Sequence, residues 1–277
     1  MTATTFTARR APAAGRPVFA AGLAVLALAL LVVLFPALFA THDPDATDFA
    51  RTFQPPGADH FFGTDQLGRD VFSRVVYGAR VSLTIALGAT AIGVLGGMLL
   101  GLLSAVGGRI VDGVLMRCVD VLLAFPELIL ALLVVAVIGG GAVNIAVAIG
   151  TAAIPAYARV VRGQAGTVIL SEYVEAARVL GVRRSVYLAR HVVPNVAGPV
   201  VVLASIGGGT AIVTAAGLSL LGLGPPQPTA EWGAMLAEGK DLLGTAWWIA
   251  VFPGMTVALV VVAFTLVGRN LQVRSLR

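Results

Sequence analysis

Lysine is almost missing from this chain. Lys240 is the only one in 277 residues, and arginine supplies the rest of the positive charge, the mark of a base-composition bias toward arginine codons. Charge of either sign is scarce. Charged residues make up 12% of the chain, about half the share carried by a soluble domain. Cysteine occurs once, so an internal disulfide and a cysteine metal cluster are both excluded, and Cys118 reads as a small buried hydrophobe. The three histidines, His42, His60 and His191, are scattered over both sides of the bundle described below, and no HExxH pair is present. Metal catalysis therefore has no support, and neither a metal nor a cofactor site is expected in this chain. Gly233–Lys240 superficially resembles a phosphate loop. It has one residue too many between its glycines, Asp241 stands where Ser or Thr belongs, and no strand precedes it, so the chain itself hydrolyses no ATP.

What is present is apolar sequence. Hydrophobic residues make up 58% and the mean hydropathy is +0.93. Several runs exceed the roughly 18 apolar residues of a spanning helix, which predicts one all-α integral membrane bundle. The first run, Val18–Ala40, would reach about 34 Å at 1.5 Å per residue, too long for the core of a signal peptide, so it reads as a retained span. Six spans are predicted: Val18–Ala40, Val81–Val106, Val114–Ile138, Val143–Val161, Val196–Leu218 and Trp247–Val267. Fourteen of the 19 basic residues then fall on one side. They are Arg9, Arg10 and Arg16; Arg109 and Arg117; Arg159, Arg162, Arg178, Arg183, Arg184 and Arg190; and Arg269, Arg274 and Arg277. The positive-inside rule makes that side, with both termini, cytoplasmic. The net charge of +5 is thereby a matter of topology and calls for no nucleic acid. The predicted organisation is a cytoplasmic tail 1–17, a first span and extracytoplasmic lead-in 18–80, a transmembrane domain 81–268 and a cytoplasmic tail 269–277.

Within the second span Ala89, Gly93, Gly97 and Gly101 recur every four residues, a face on which another helix backbone can approach closely, either within the chain or from a partner. The third span holds two acids. Asp120 lies one turn from Arg117 and reads as an interfacial ion pair. Glu127 follows Pro126 deeper in the span, where a charge is costly, so it should face a cavity or a partner and line a translocation path.

Between spans four and five lies a polar island, EYVEAARVLGVRR, Glu172–Arg184. Ser171 can cap a short helix whose first turn carries Glu172, suited to the helix dipole. Tyr173, Ala176, Ala177 and Leu180 give one modest apolar face. Gly181 stands where a helix ends in a left-handed turn. Arg183–His191 can form a second short helix, and Pro194 begins the next span, where its missing donor is harmless. Helix, sharp turn, helix is more than a solvated loop needs, so the element must lie on lipid or enter a partner's groove.

EAARVLGVRRSVYLARHVVPN resembles the EAA loop of ABC importer permeases, with Glu175, Ala176, Ala177, Gly181 and Pro194 at the matching positions. In that family the loop, here residues 163–193, is the coupling helix that docks into an ATPase subunit. A second signature, FGTDQLGRDVFSRVVYGARVSL at Phe62–Leu83, is similar to the segment typical of dipeptide, oligopeptide and nickel permeases, specifically their shorter permease subunit. Read from the residues alone, Gly63-Thr64-Asp65 is a turn with a cap. Asp70 and Arg74 form an i, i+4 surface pair, and Val71, Phe72 and Val75 lie at the bilayer interface. A third signature, LSLLGLGPPQPTAEWGAMLAEGKDLL with the later Phe252-Pro253-Gly254, resembles the extracytoplasmic loop and last-helix entry of the same permeases. Trp232, Trp247 and Trp248 suit an interface belt. The basic end after Gly268-Arg269-Asn270 departs from the acidic tail common in the family.

The resemblance implies the transmembrane domain of a type I ABC importer, in a bacterial cytoplasmic (inner) membrane. It implies a non-catalytic subunit that moves dipeptides or short oligopeptides. Its partners would be a second homologous permease, two ATPase domains that bind ATP and Mg, an extracytoplasmic substrate-binding protein, peptide cargo and membrane lipid. Nickel chelates or another small cargo are the alternative. A secondary transporter free of ATPases is a different class, and neither inverted repeats nor a polar central helix is apparent for it.

Overall fold

The structure is a computed structural model that describes residues 16–275, with side chains from 17 to 273. Arg9 and Arg10, Arg277 and nearly all of the 1–17 tail lie outside those residues. No strand forms among the described residues; Thr64 and Asp70 make one isolated bridge. Ten helices follow in order: α1 Arg16–Leu34, α2 Val71–Val106, α3 Gly108–Leu123, α4 Glu127–Ile138, α5 Ala142–Ile169, α6 Glu172–Val179, α7 Arg184–Tyr187, α8 Val193–Leu218, α9 Trp232–Gly239 and α10 Trp248–Ser275. The 36-residue α2 packs along α5, and α8 and α10 complete the core, in which Ile85, Ala89, Ile149, Ile212 and Val260 are buried together.

Five helical segments are long and apolar enough to cross a membrane alone, and α3 with α4, bent by 95° at their break, pass the same test as a candidate sixth. The third span is therefore not the straight Val114–Ile138 helix that hydropathy suggests. Pro126 is the reason. It has no N–H to donate to the preceding turn, and it holds the extended ψ of 135° that ends one helix before the next. Bonds from Ala124 N to Asp120 O and from Phe125 N to Leu122 O close α3 instead.

Local contacts order the two ends of the bundle. The close of α2 meets α7, because Arg184 donates to Val106 O. The start of α5 meets the far end of α8, because Gly141 N donates to Leu223 O at 3.1 Å. Together α3 and α4 thus carry the chain from one end to the other. Gly22 in α1 packs on Ala263 and Leu266 late in α10, so the two ends of the described chain share the end that holds α6 and α7. We call this the handle end and the opposite one the loop end.

Other helices also differ from the periodicity reading. α2 begins ten residues before Val81, because the Asp70 carboxylate caps it by accepting from Ser73 N at 2.8 Å and nothing after Val71 breaks it. Its first turns do not lie on lipid: Val71 and Val75 are buried among Met235, Trp248 and Ile249. α5 continues past Val161 to Ile169, so Arg162 and the start of 163–193 are helical. Cys118, read as buried, is exposed on α3.

Candidate functional site

At the handle end, α5 gives way to α6 across Leu170 and Ser171. Ser171 holds the cap position but does not cap with its side chain; its hydroxyl donates back to Val168 O. Glu172 and Glu175 occupy the first turn and Arg178 the last, an order that suits the helix dipole. The far end closes in a Schellman pattern, with Val182 N donating to Ala177 O and Gly181 N to Arg178 O, both at 3.0 Å. Gly181 has φ +75°, and a Cβ there would meet nothing within 4 Å. The corner is therefore demanded by the backbone and not by crowding within the chain.

The buried side of α6 is Val174 and Ala177, packed with Val161 and Ala165 of α5 and with Tyr187, Val192 and Val196. This corrects the apolar face read from spacing. Of that face only Ala177 is buried; Ala176 and Leu180 are exposed, the half-exposed Tyr173 ring meets His191 edge-on, and Leu170, Val179 and Leu180 are each more than 80% exposed. Arg183 precedes α7, and its carbonyl accepts from Val186 N and Tyr187 N. The second short helix does not end before Pro194. It runs through a π-helical turn, Leu188–Val192, into α8, a widening that accommodates the missing proline donor. Arg178 sits over the Tyr187 ring, 5.2 Å from its centre.

A cavity of about 150 Å³ lies mid-bundle, lined by Thr90, Glu127, Tyr157, Gly207 and Thr210. Glu127 is the first residue of α4 and stands at the 95° break, which carries its carboxyl to that cavity. Asp120 does not pair with Arg117: it accepts from Arg159 of α5, and Asp112 binds Arg162 at 2.6 Å. Two ion pairs thus tie the outlying α3 to α5. The stripe Gly93, Gly97 and Gly101 faces α5, where a Cβ on Gly97 would press on Tyr157 and come within 2.9 Å of Ala158 N.

The loop end holds a cluster that sequence reasoning missed. Arg69 binds Asp65 at 2.6 Å and Glu238 at 3.3 Å, and all but Glu238 of this trio are at most 2% exposed. Arg74 turns to Asp65 and Glu238, at 3.7 and 3.8 Å, and not to Asp70, whose Oδ1 meets His60 Nδ1 at 2.8 Å. The Glu231 carboxylate, 1% exposed, accepts from Ser82 Oγ, Gly233 N and Ala234 N. Trp248 Nε1 donates to Thr64 O and Trp232 Nε1 to Val75 O, so two of the three tryptophans are internal clamps. The density of charge in GTDQLGRD was the available signal; its partners lie too far along the chain for spacing to reveal. His42 and His60, 18 residues apart in sequence, meet with ring centres 4.7 Å apart and planes tilted by 34°.

Residues 97–276 match the model of a family described as "Binding-protein-dependent transport system inner membrane component". The chain is 40% identical to the probable D,D-dipeptide transport system permease protein DdpC of Escherichia coli, over 93% of this chain and 87% of that protein. It is 39% identical to the di/tripeptide transport system permease protein DppC of Pseudomonas aeruginosa, over 88% and 84%. It is 40% identical to the glutathione transport system permease protein GsiD of Pectobacterium atrosepticum, over 91% and 84%. A crystal structure of an amino acid ABC transporter with histidines shares the fold at a TM-score of 0.55 and 16% identity, over 74% of this chain and 94% of that one.

Proposed function

Because this chain belongs to the family of binding-protein-dependent transport system inner membrane components, we propose that it moves dipeptides or short oligopeptides across the cytoplasmic membrane under the drive of partner ATPases. Membership makes it a non-catalytic membrane subunit of an ABC transport system. The names of its relatives refer to D,D-dipeptides, di- and tripeptides and glutathione, itself a tripeptide, which favours a peptide over a nickel chelate. The partners this reading requires are a second permease, two ATPase domains that hold ATP and Mg, and an extracytoplasmic binding protein. The handle end then faces the cytoplasm, with both termini.

One observation carries the reading. α6 and its corner at Gly181 present Leu170, Val179 and Leu180 outward beyond the bundle, more exposed than lone surface hydrophobes need to be. A groove in an ATPase subunit is the natural cover. Its ATP-driven closure would push α6, and rigid helices would rock between inward- and outward-facing states. Glu175, Ala176, Gly181 and Arg183 are the contact residues of this reading, with Glu172 at the helix start and Pro194 where the handle joins α8, while Ala177, buried against α5, seats the handle on the bundle instead.

Gly181→Leu tests it. The chain itself has room there, so the cost to its own fold is that of a positive φ, about 1 kcal/mol. In a complex reconstituted with its permease and ATPase partners, ATP-dependent dipeptide uptake should fall on the order of tenfold or more, through a barrier loss of roughly 1.4 kcal/mol or more. Wild-type uptake together with undiminished co-purification of the ATPases overturns the reading.

A further inference from the structure

The loop end brings together three groups that no part of the transport reading uses. His42 follows the exit of α1, His60 lies in the loop before α2, and Asp70 caps α2. One ligand atom from each can be chosen so that all three lie within 4.8 Å of one another. We propose that His42, His60 and Asp70 form a binding site for a divalent transition-metal ion of the class that includes Zn2+.

Four observations converge on it. First, two imidazoles and a carboxylate are a donor set suited to Zn2+, with a fourth position left for water. Second, His60 Nδ1 and Asp70 Oδ1 are already paired by a 2.8 Å hydrogen bond, so the two donors face each other, and an ion would take the place of the shared proton with a modest opening to about 3.4 Å. Third, His60 is buried, its Nε2 has no hydrogen-bond partner, and Asp70 is the group that holds its Nδ1, so apart from Asp70 the fold commits neither ring nitrogen. Asp70, for its part, is held by the Ser73 N–H, so the carboxylate is already oriented. Fourth, the approach is open and acidic. A cleft of about 520 Å³ runs up to His42, lined also by Asp43, Asp45 and Tyr77. Arg74 stands 3.7 Å from Asp45 on the inner side and offsets part of that charge, whereas the Asp43 carboxylate accepts from the Asp45 N–H.

His42 supplies the closing movement. Its side chain is 42% exposed and its Nδ1 lies 3.9 Å from Asp70 Oδ2, so a small rotation brings it to the ion, at the cost of a 3.0 Å contact with Thr41 Oγ1. An ion held there would join the segment after α1 to the first turn of α2, where Ser73 Oγ already receives the Thr41 and His42 N–H groups. This inference does not depend on the cargo or on the ATPase partners.

The test uses the full-length chain in detergent, purified without a histidine tag, stripped with a chelator and titrated with Zn2+ alone. One Zn2+ should bind per chain, and the unfolding temperature should rise with Zn2+ concentration. His42→Ala, a change at an exposed side chain, should weaken binding on the order of tenfold or more. Cys118→Ala should leave it unchanged. With Co2+ in place of Zn2+, His42→Cys should restore binding and show a sulfur-to-cobalt charge-transfer band that the wild-type chain lacks. Absence of stoichiometric Zn2+, or a His42→Ala chain that binds Zn2+ as the wild type does, overturns the proposal.

Discussion

Glu127 owes its position to its neighbour. Pro126 ends α3, the next residue opens α4, and its carboxyl lines the cavity shared with Thr90 and Tyr157. A charged group at membrane depth persists where it faces water, a partner or a ligand. We propose that in such a transporter the carboxylate lines the path near a peptide's ammonium group. Glu127→Gln keeps the shape and removes the charge. For dipeptides with a free amino terminus, uptake measured in proteoliposomes should lose roughly tenfold in kcat/KM, about 1.4 kcal/mol, while N-acetylated peptides should be affected less. Equal kinetics for both peptide classes would remove Glu127 from the path. At this scale the sequence was readable wherever chemistry is local. The left-handed corner at Gly181 follows from a glycine after a helical run, and it is present with φ +75°. Glu231 was not readable as a buried cap, because the Ser82 it binds lies 149 residues away. The apparent Asp70–Arg74 pair was misread for the same reason: spacing suggests a partner, but Glu238 competes from 164 residues along the chain.

The pairing of α2 with α5 depends on the absence of side chains along one seam. Gly101 is so close to α5 that a Cβ would come within 2.6 Å of Ala158 O, and Gly97 presses on Tyr157. Gly97→Leu should therefore force the helices apart and destabilise the chain by about 1–3 kcal/mol or more, seen as a lower unfolding temperature in detergent. Gly163→Leu, on the same α5 but with nothing within 4 Å, should change it by no more than about 1 kcal/mol, and in the stabilising direction if helix propensity dominates. Equal effects at the two sites would show that the seam is not close-packed. The stripe itself was visible in sequence, since spacing by four is a helical signature. Which helix it meets was not, because a small-residue face accepts any backbone. Hydropathy likewise found where α5 crosses the membrane but not where it stops: nothing after Val161 breaks a helix, and its arginines reach Asp112 and Asp120 on α3.

For the whole molecule, six crossings require that the bent α3–α4 pair traverse fully. The structure places both ends of the described chain at the handle end, and we infer from the arginine distribution that this end faces the cytoplasm. A fluorescent reporter that matures only in the cytoplasm should thus be bright when fused at either terminus. A cysteine introduced at Asp59 should be labelled by a membrane-impermeant reagent from outside. A dark carboxy-terminal fusion would mean five crossings, with α3–α4 re-entrant. The tight α2–α5 seam has a bearing on motion as well. α5 continues almost directly into α6, while the first turns of α2 are locked under the charged loops by Trp232 and by the Asp70 cap. With the α2 glycines set directly against Tyr157, Ala158 and Val161 of α5, the two helices turn as a single beam. A tilt applied at the cytoplasmic tip would then reach the opposite rim without slack, and at the same instant.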